Sequence, residues 1–285
     1  MDNLTGRLDI LLRMALDEDL GHGDATTESV IAPGALGAAD AVGRESFVLS
    51  GAGPFRRIFE ILDPSLRVEC FFPDGALVEA GAPAFRLSGS VRTILMGERT
   101  ALNLLQRLCG VATLTRKMAD ALTGTSCRLL DTRKTTPLWR ALEKQAVRHG
   151  GGVNHRFGLS DGVLIKDNHV ASAGGVREAV ARARAGACHM LRIEVEVDSL
   201  EQMDEALDAR ADVILLDNFT LDMLREAVRR NAGRAMLEAS GGVKLETVRA
   251  IAETGVDFVS CGALTHSARA IDIGLDMRLE PERAA

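Results

Sequence analysis

The chain has 285 residues, enough for one large domain or two ordinary ones, so core size sets no limit on what it can bury. Its 34 basic and 40 acidic residues give a formal charge of −6, which argues against a general nucleic-acid binder. No apolar run approaches the roughly 18 residues of a membrane span, and the acidic residues Asp2, Asp9 and Asp17 among the first leucines suit a surface helix rather than a secretory signal.

Residues 4–16 carry the spacing of an amphipathic helix, and 21–27 (Gly-His-Gly-Asp-Ala-Thr-Thr) form a polar loop. Strands are predicted over 38–42 and 68–72, with a helix over 54–62 between them. Pro73-Asp74-Gly75 is a turn signal, and 76–78 with 84–87 reads as a hairpin. A long helix follows over 91–108. This is a mixed α+β domain over 1–110, and the apolar residues 271–277 allow the C-terminal segment 271–285 to pack back on it.

From about residue 126 onward, short apolar runs alternate with helical periods, over 128–131, 162–165, 190–197, 212–216, 234–239 and 257–261. Strand and helix in alternation predict a parallel sheet covered by helices. Polar residues stand just after one strand after another: Arg133 and Lys134, Lys166, Glu196, Asp217, Ser240 and Gly262. The last four are spaced by 21, 23 and 22 residues. A (β/α) barrel gathers such strand ends on one face, where these enzymes keep their active sites. A full barrel needs roughly 250 residues, more than the chain has left, so a barrel over 111–270 should be incomplete, with six or seven strands.

Within this half, Gly158-Leu159-Ser160-Asp161-Gly162 imitates a serine-hydrolase elbow, but Ser160 precedes its strand instead of following it. A biotin or lipoyl module is ruled out because no lysine occurs before Lys117. The five cysteines (Cys70, Cys109, Cys127, Cys188, Cys261) contain no C-x-x-C pair and read as reduced core thiols of a cytoplasmic protein, and Cys188-His189 reads as a buried pair rather than a metal site.

The chemical centre is the segment 131–169, where seven basic residues face four acidic ones, a local +3 that leaves −9 for the rest. Arg140, Glu143, Lys144 and Arg148 read as the solvated face of a helix. Arg133, Lys134, Arg156 and Lys166 sit at strand ends or in a glycine-flanked loop, as binding of a carboxylate- or phosphate-rich ligand requires. Glu194 and Glu196 alternate along one strand and project to the same side. Their burial calls either for Mg²⁺, with Glu196 and Asp217 taking part, or for a salt bridge to Arg192 or another base. Ser240-Gly241-Gly242 and Cys261-Gly262-Ala263 end consecutive strands with backbone amides suited to phosphate. On these residues alone, a Schiff-base aldolase-like barrel using Lys166 remains open.

Glu98-Arg99-Thr100-Ala101-Leu102-Asn103, Asp131-Thr132-Arg133-Lys134-Thr135-Thr136-Pro137, Gly151-Gly152-Val153-Asn154-His155-Arg156, Leu164-Ile165-Lys166-Asp167-Asn168-His169 and Glu238-Ala239-Ser240-Gly241-Gly242 together resemble the quinolinate phosphoribosyltransferases, the carboxylating nicotinate-nucleotide pyrophosphorylases. The resemblance runs from Asp19 to Gly274. Leu138 departs from it where the family commonly has glycine. It implies an N-terminal α/β sandwich joined to an incomplete TIM-like barrel, in dimers or assemblies of dimers, with no nucleic-acid or membrane partner. The implied reaction converts quinolinate and phosphoribosyl pyrophosphate to nicotinate mononucleotide, pyrophosphate and CO₂ with Mg²⁺, in NAD biosynthesis. A related pyrophosphorylase on another ligand would share the phosphate loops. By position, Thr132, Arg133, Lys134, His155, Arg156 and Lys166 would hold quinolinate, with the two lysines also near the phosphates and Arg99 supplied across the dimer interface. Glu196 and Asp217 would meet the ribose hydroxyls and Mg²⁺, directly or through substrate, while Ser240, Gly241, Gly242, Gly262 and Ala263 seat the 5-phosphate. Lys134, Lys166, Glu196 and Asp217 form the expected catalytic set.

Overall fold

The structure is a computed structural model, and it describes residues 2–278; the expected C-terminal segment therefore lies outside the described residues from 279 onward. The chain runs through helix α1 (Asp2–Leu20), α2 (Ala25–Val30), strand β1 (Leu36–Gly43), β2 (Phe47–Val48), α3 (Ala52–Leu62), β3 (Arg67–Cys70), β4 (Leu77–Val78), β5 (Pro83–Ser90) and α4 (Val91–Ala121). Next come β6 (Arg128–Leu130), α5 (Arg140–His149), β7 (Val163–Ile165), α6 (Asp167–Ala173), α7 (Val176–Gly186), β8 (Ile193–Val197) and α8 (Leu200–Asp208). The last elements are β9 (Val213–Asp217), α9 (Leu221–Asn231), β10 (Met236–Ser240), α10 (Leu245–Ala252), β11 (Phe258–Ser260), α11 (Ala263–His266) and β12 (Ile273–Arg278). The described residues form two compact units, one of residues 2–114, 141–150 and 268–278, the other of 115–140 and 151–267.

The first unit is built on an antiparallel sheet of order β12-β1-β5-β3. Alternation along β1 and β5 buries Ala39, Ala41, Phe85 and Leu87 against the apolar stripe of α3, where Phe55 stacks edge-on with Phe59 and lies tilted on Phe85. The expected hairpin of 76–78 with 84–87 does not form. Strand β4 pairs with β2, and β5 is flanked by β1 and β3. The turn at 79–82, closed by Ala82 N–H on Glu79 O at 3.1 Å, hands the chain to β5 alongside β1, and Gly81 N–H bonds Gly43 O at 3.0 Å. Helix α4 also runs past the expected stop near residue 108. Gly110 does not end it: a Cβ there would stand 2.0 Å from the Arg269 carbonyl oxygen, so the glycine serves a close backbone approach inside the helix.

Helix α5 corrects the solvated-face reading of its charges. Glu143 is fully buried, accepting from Arg107 Nη2 at 2.9 Å and Nε at 3.1 Å, and Lys144 is buried as well. Only Arg148 of the four is exposed. Leu142, Ala146 and Val147 are buried too, so protein packs around most of this helix, and a charged residue there is an internal partner rather than a solvated one. The core reading of the cysteines holds for Cys109, Cys127 and Cys261 but not for Cys188, which is exposed with His189 in the segment between α7 and β8.

The second unit holds six parallel strands in the order β6-β11-β10-β9-β8-β7, an open sheet whose edges are β6 and β7, as an incomplete barrel requires. A single parallel bridge, Leu130 to Val153, extends the β6 edge. Register sorts the side chains, because paired residues of a parallel sheet share a face. Ile193, Val195, Val197, Ile214, Leu216, Leu237, Ala239, Val259 and Leu129 form one continuous buried apolar face. The opposite face carries Glu194 and Glu196 on β8, Leu215 and Asp217 on β9, Glu238 and Ser240 on β10, and Ser260 on β11. Acidic residues on the inner face of a sheet cost stability unless they are partnered, so this face is built for chemistry.

Candidate active site

The upper rim of the inner face lies at the C-terminal strand ends. Asp217 and Ser240 are directly paired in register, closing β9 and β10 side by side. Past Ser240 the backbone turns through Gly241 at φ 97° and Gly242 at φ 59°. At Gly241 a Cβ would meet Asn218 Oδ1 at 2.1 Å, so glycine is demanded twice, by conformation and by space. Asn218 is held in turn by its side-chain amide on Asp217 Oδ2 at 2.7 Å and its backbone N–H on Ser240 O at 2.9 Å. After β11, Gly262 leaves room for Lys134, whose Cδ is 2.9 Å from where a Cβ would stand, and Thr265 Oγ1 donates to the Lys134 carbonyl at 2.7 Å. The loop bearing Thr132, Arg133 and Lys134 is tightened by Lys134 N–H on Thr132 Oγ1 at 3.0 Å. Ala263 opens the four-residue helix α11 beside it.

Lys166 follows β7 and its exposed ammonium lies 3.4 Å from Glu196 Oε2. Deeper on the same face, His155 Nε2 is 3.0 Å from Glu194 Oε2 and 3.7 Å from Glu238 Oε2. A base does stand at each β8 carboxylate, Lys166 as an ion-pair partner of Glu196 and the His155 ring within hydrogen-bond distance of Glu194, but neither is Arg192. Arg192 is exposed and points its Nη1 at Met236 Sδ. His155 is aimed by Asp131, a buried carboxylate that accepts from the Asn154 amide at 2.7 Å and from His155 N–H at 2.8 Å. Arg156 donates from Nη1 to Gly162 O at 2.8 Å.

Four buried side-chain atoms among the described residues lack a hydrogen-bond partner, and all belong to this face or its loops: Arg133 Nε, Arg156 Nε, Glu194 Oε1 and Glu238 Oε1. Burial, and next the charge of Arg133, push the Arg156 guanidinium below its ordinary value. Two neighbouring half-buried guanidiniums, each with a buried Nε donor that has no acceptor, make a socket that an anion would complete.

The family models for the quinolinate phosphoribosyl transferase N-terminal and C-terminal domains match residues 24–109 and 111–276. The chain belongs to the quinolinate phosphoribosyltransferase family. It is 45% identical over 275 residues to the nicotinate-nucleotide pyrophosphorylase (carboxylating) of Mycobacterium leprae, covering 93% of this chain and 95% of that protein. It is 43% identical over 265 residues to the probable enzyme of that name from Bacillus subtilis, covering 93% and 91%. The solved nicotinate-nucleotide pyrophosphorylase of Francisella tularensis superposes with a TM-score of 0.92 at 40% identity over 96% of each chain.

Against the residues expected for a quinolinate phosphoribosyltransferase, the structure brings Thr132, Arg133, Lys134, His155, Arg156, Lys166, Glu196, Asp217, Ser240, Gly241, Gly242, Gly262 and Ala263 to the strand ends and loops of one sheet. Arg99 is exposed on α4, in the other unit. Sequence reasoning assigned no role to Glu238. Its position two residues before Ser240 was the available signal, since period-2 alternation puts both on the inner face. Glu196 and Asp217 stand on adjacent strands with Lys166 already beside Glu196, so they offer a cation two carboxylates at most. That suits Mg²⁺, which keeps its waters and takes oxygens from substrate phosphates, and does not suit a cage made of protein alone. Leu138 has φ 67° and is 81% exposed, which explains why glycine is the fitting residue there.

Proposed function

We propose that the chain is a phosphoribosyltransferase that joins quinolinate to phosphoribosyl pyrophosphate and releases nicotinate mononucleotide, pyrophosphate and CO₂, serving NAD biosynthesis. The observation that carries this reading is the pair of orphaned, buried Nε donors of Arg133 and Arg156 beside strand ends bearing Lys134, Lys166, Glu196 and Asp217. A planar dicarboxylate fills that need with forked acceptors, and the lysines add point charge for phosphate. Thr132 completes the same loop, and the amides at Ser240 to Gly242 and at Gly262 and Ala263 receive the 5-phosphate.

Two anions must meet before any bond changes, and the basic loops lower the repulsion between them. The pyridine nitrogen then attacks ribose C1 as the bond from C1 to the pyrophosphate oxygen breaks. Positive charge grows on the ribose, and the carboxylates of Glu196 and Asp217 would offset it. The electron pair left when the carboxyl group departs as CO₂ stays on the ring carbon, stabilised by the positive charge of the adjacent pyridinium nitrogen, and that carbon then takes up a proton. Bound Mg²⁺ would supply charge neutralisation on the pyrophosphate, reached from Glu196 and Asp217 directly or through substrate. No side chain has to act as a covalent nucleophile, so positioning and charge account for the catalysis.

The same reading makes the working form a homodimer, alone or in an assembly of dimers, in which Arg99 of the partner subunit completes each site. Five unpaired cysteines favour a cytoplasmic setting, and among the described residues no helix is long and apolar enough to cross a membrane. The deciding experiment follows nicotinate mononucleotide from purified protein with both substrates, with and without Mg²⁺. Product that depends on quinolinate, phosphoribosyl pyrophosphate and Mg²⁺ is expected, and folded protein that makes none overturns the reading. Mixing Arg99→Ala with Lys134→Ala protein tests the shared site: each heterodimer regains one intact centre, restoring about one quarter of the sites. No recovery after subunit exchange would remove Arg99 from the site.

A further inference from the structure

Beneath the rim, His155, Glu194 and Glu238 form the only group of three metal-capable side chains found among the described residues, their ligand atoms lying within 4.8 Å of one another. Glu238 is 2% exposed and Glu194 is 7% exposed, and each has an Oε1 without a donor. Two carboxylates and an imidazole could hold a cation or a proton, and the imidazole decides between them. His155 Nδ1 lies 2.7 Å from the Arg156 backbone N–H and accepts from it, so Nδ1 carries no hydrogen. The ring's hydrogen then sits on Nε2, the atom facing Glu194. Rotating the ring by half a turn would lose both contacts, which fixes the orientation. A metal on Nε2 would drive the hydrogen to Nδ1, against the Arg156 amide, so this geometry favours a proton.

Resting on the phosphoribosyltransferase reading above, we propose that Glu238 is a positioning residue: it holds a proton shared with Glu194, which keeps His155 neutral with Nδ1 open to Arg156 and so sets Arg156 for the substrate carboxylate. The charge balance explains why a proton is needed. Two ionised carboxylates beside one imidazole would pull a proton onto Nδ1, turning the ring into imidazolium and taking away the acceptor of the Arg156 amide. With the hydrogen on Glu238 the trio carries a single negative charge, and one of the two orphaned acceptors becomes a donor.

The surroundings of Glu238 agree. It faces Glu194 from β8, Ser260 from β11 and His155 from the loop before β7, while β9 places Leu215 between it and Glu196 in register, and Arg156 of that loop acts on Glu194 by charge. Burial first, and then the charge of Glu194, push its carboxyl up to about 7; the Ser260 hydroxyl opposes this weakly, and His155 would oppose it only as an imidazolium. Ionisation would therefore begin near neutrality, moving one proton from Glu238 to the imidazole or to solvent.

Glu238→Gln and Glu238→Leu separate this role from simple packing. Gln keeps a donor for Glu194 without a titratable proton, and Leu fills the space with none. In the wild type, KM for quinolinate should rise as pH passes through the Glu238 ionisation. In the Gln variant it should stay within about twofold of the low-pH wild-type value and lose that pH dependence, and in the Leu variant it should be raised about tenfold with kcat changed less. Nitrogen NMR of the labelled imidazole should show the neutral Nε2–H form in wild type and Gln, and infrared spectra below neutrality should show a protonated carboxyl that Gln removes. A Gln variant as impaired as Leu, or a folded Leu variant with wild-type KM, overturns the proposal. So does a missing protonated carboxyl, or a stoichiometric divalent metal in purified wild type that Gln abolishes. The two spectroscopic readouts need no turnover, so they remain decisive if quinolinate proves not to be the substrate.

Discussion

The two units bury charge in opposite ways. In the antiparallel unit, Asp40 is 2% exposed and meets Arg86 directly across the strands, Nε on Oδ1 at 2.8 Å and Nη2 on Oδ2 at 3.0 Å, with Arg278 Nη2 at 2.6 Å completing it. Glu143 takes two donors from Arg107. In the parallel unit, Arg133, Arg156, Glu194 and Glu238 each keep a buried atom without a partner. A protein that can satisfy its internal charges, and does so in one half, leaves them incomplete in the other where a ligand or a shared proton finishes the job. Fully bonded buried charge serves the frame in both units, as at Asp40, Glu143 and Asp131, whereas among the described residues buried charge short of a bond is confined to the strand-end face of the second.

Substitutions on the two sides should fail in different currencies, and this is the sharpest way to break the comparison. Lys166→Ala or Lys134→Ala should lower quinolinate turnover by about 10²- to 10³-fold with the melting transition unchanged, because an exposed ammonium contributes charge to the reaction and little to the fold. Near-normal rates in folded protein would sink the assignment. Glu143→Ala should do the reverse, costing about 3 kcal/mol in urea unfolding by leaving the Arg107 guanidinium without its carboxylate. Intact stability with a crippled rate would place Glu143 on the functional side.

Much of the second unit was legible from sequence because one periodicity served both fold and site. The apolar runs located β8, β9 and β10, and the polar residue at the end of each run located the rim, down to Glu196, Asp217 and Ser240. Glu238 escaped because a lone carboxylate inside an apolar strand looks like noise until the fold brings its side chain, with that of Glu194, to His155. Helix α5 was misread for a related reason. Charges at helical spacing look alike whether water or Arg107 answers them, and only tertiary packing decides. The first unit was harder still. Its antiparallel pairs join residues far apart in sequence, so β4, adjacent to β5 along the chain, could not be seen to belong with β2.

A smaller effect separates the two kinds of buried carboxylate by pH. Glu238 has its value raised in the folded protein, so the folded chain holds a proton that the unfolded chain releases between the ordinary carboxylate range and about 7. Its contribution to stability is complete below the unfolded value and is lost as pH climbs to about 7. Urea midpoints measured between about pH 5 and pH 8 should therefore fall more steeply in wild type than in Glu238→Gln. Matching slopes would mean that Glu238 is ionised throughout and shares no proton.

The smallest expected change lies at Leu138, in the loop that carries Lys134. Its φ of 67° is a left-handed backbone that leucine adopts at a steric cost, and at 81% exposure the side chain recovers little of that cost by packing. Glycine relieves the strain, worth about 1 to 2 kcal/mol, but adds freedom to the unfolded chain, worth about 0.5 to 1 kcal/mol. Leu138→Gly should therefore stabilise the protein by a net of roughly 0.5 to 1 kcal/mol in urea unfolding, with KM for quinolinate little altered, since the loop is held at Lys134 by Thr132 and Thr265. A gain in stability together with a large rise in KM would show that the stiff leucine turn helps to aim Arg133 and Lys134, and would move Leu138 from the structural to the functional side of the comparison.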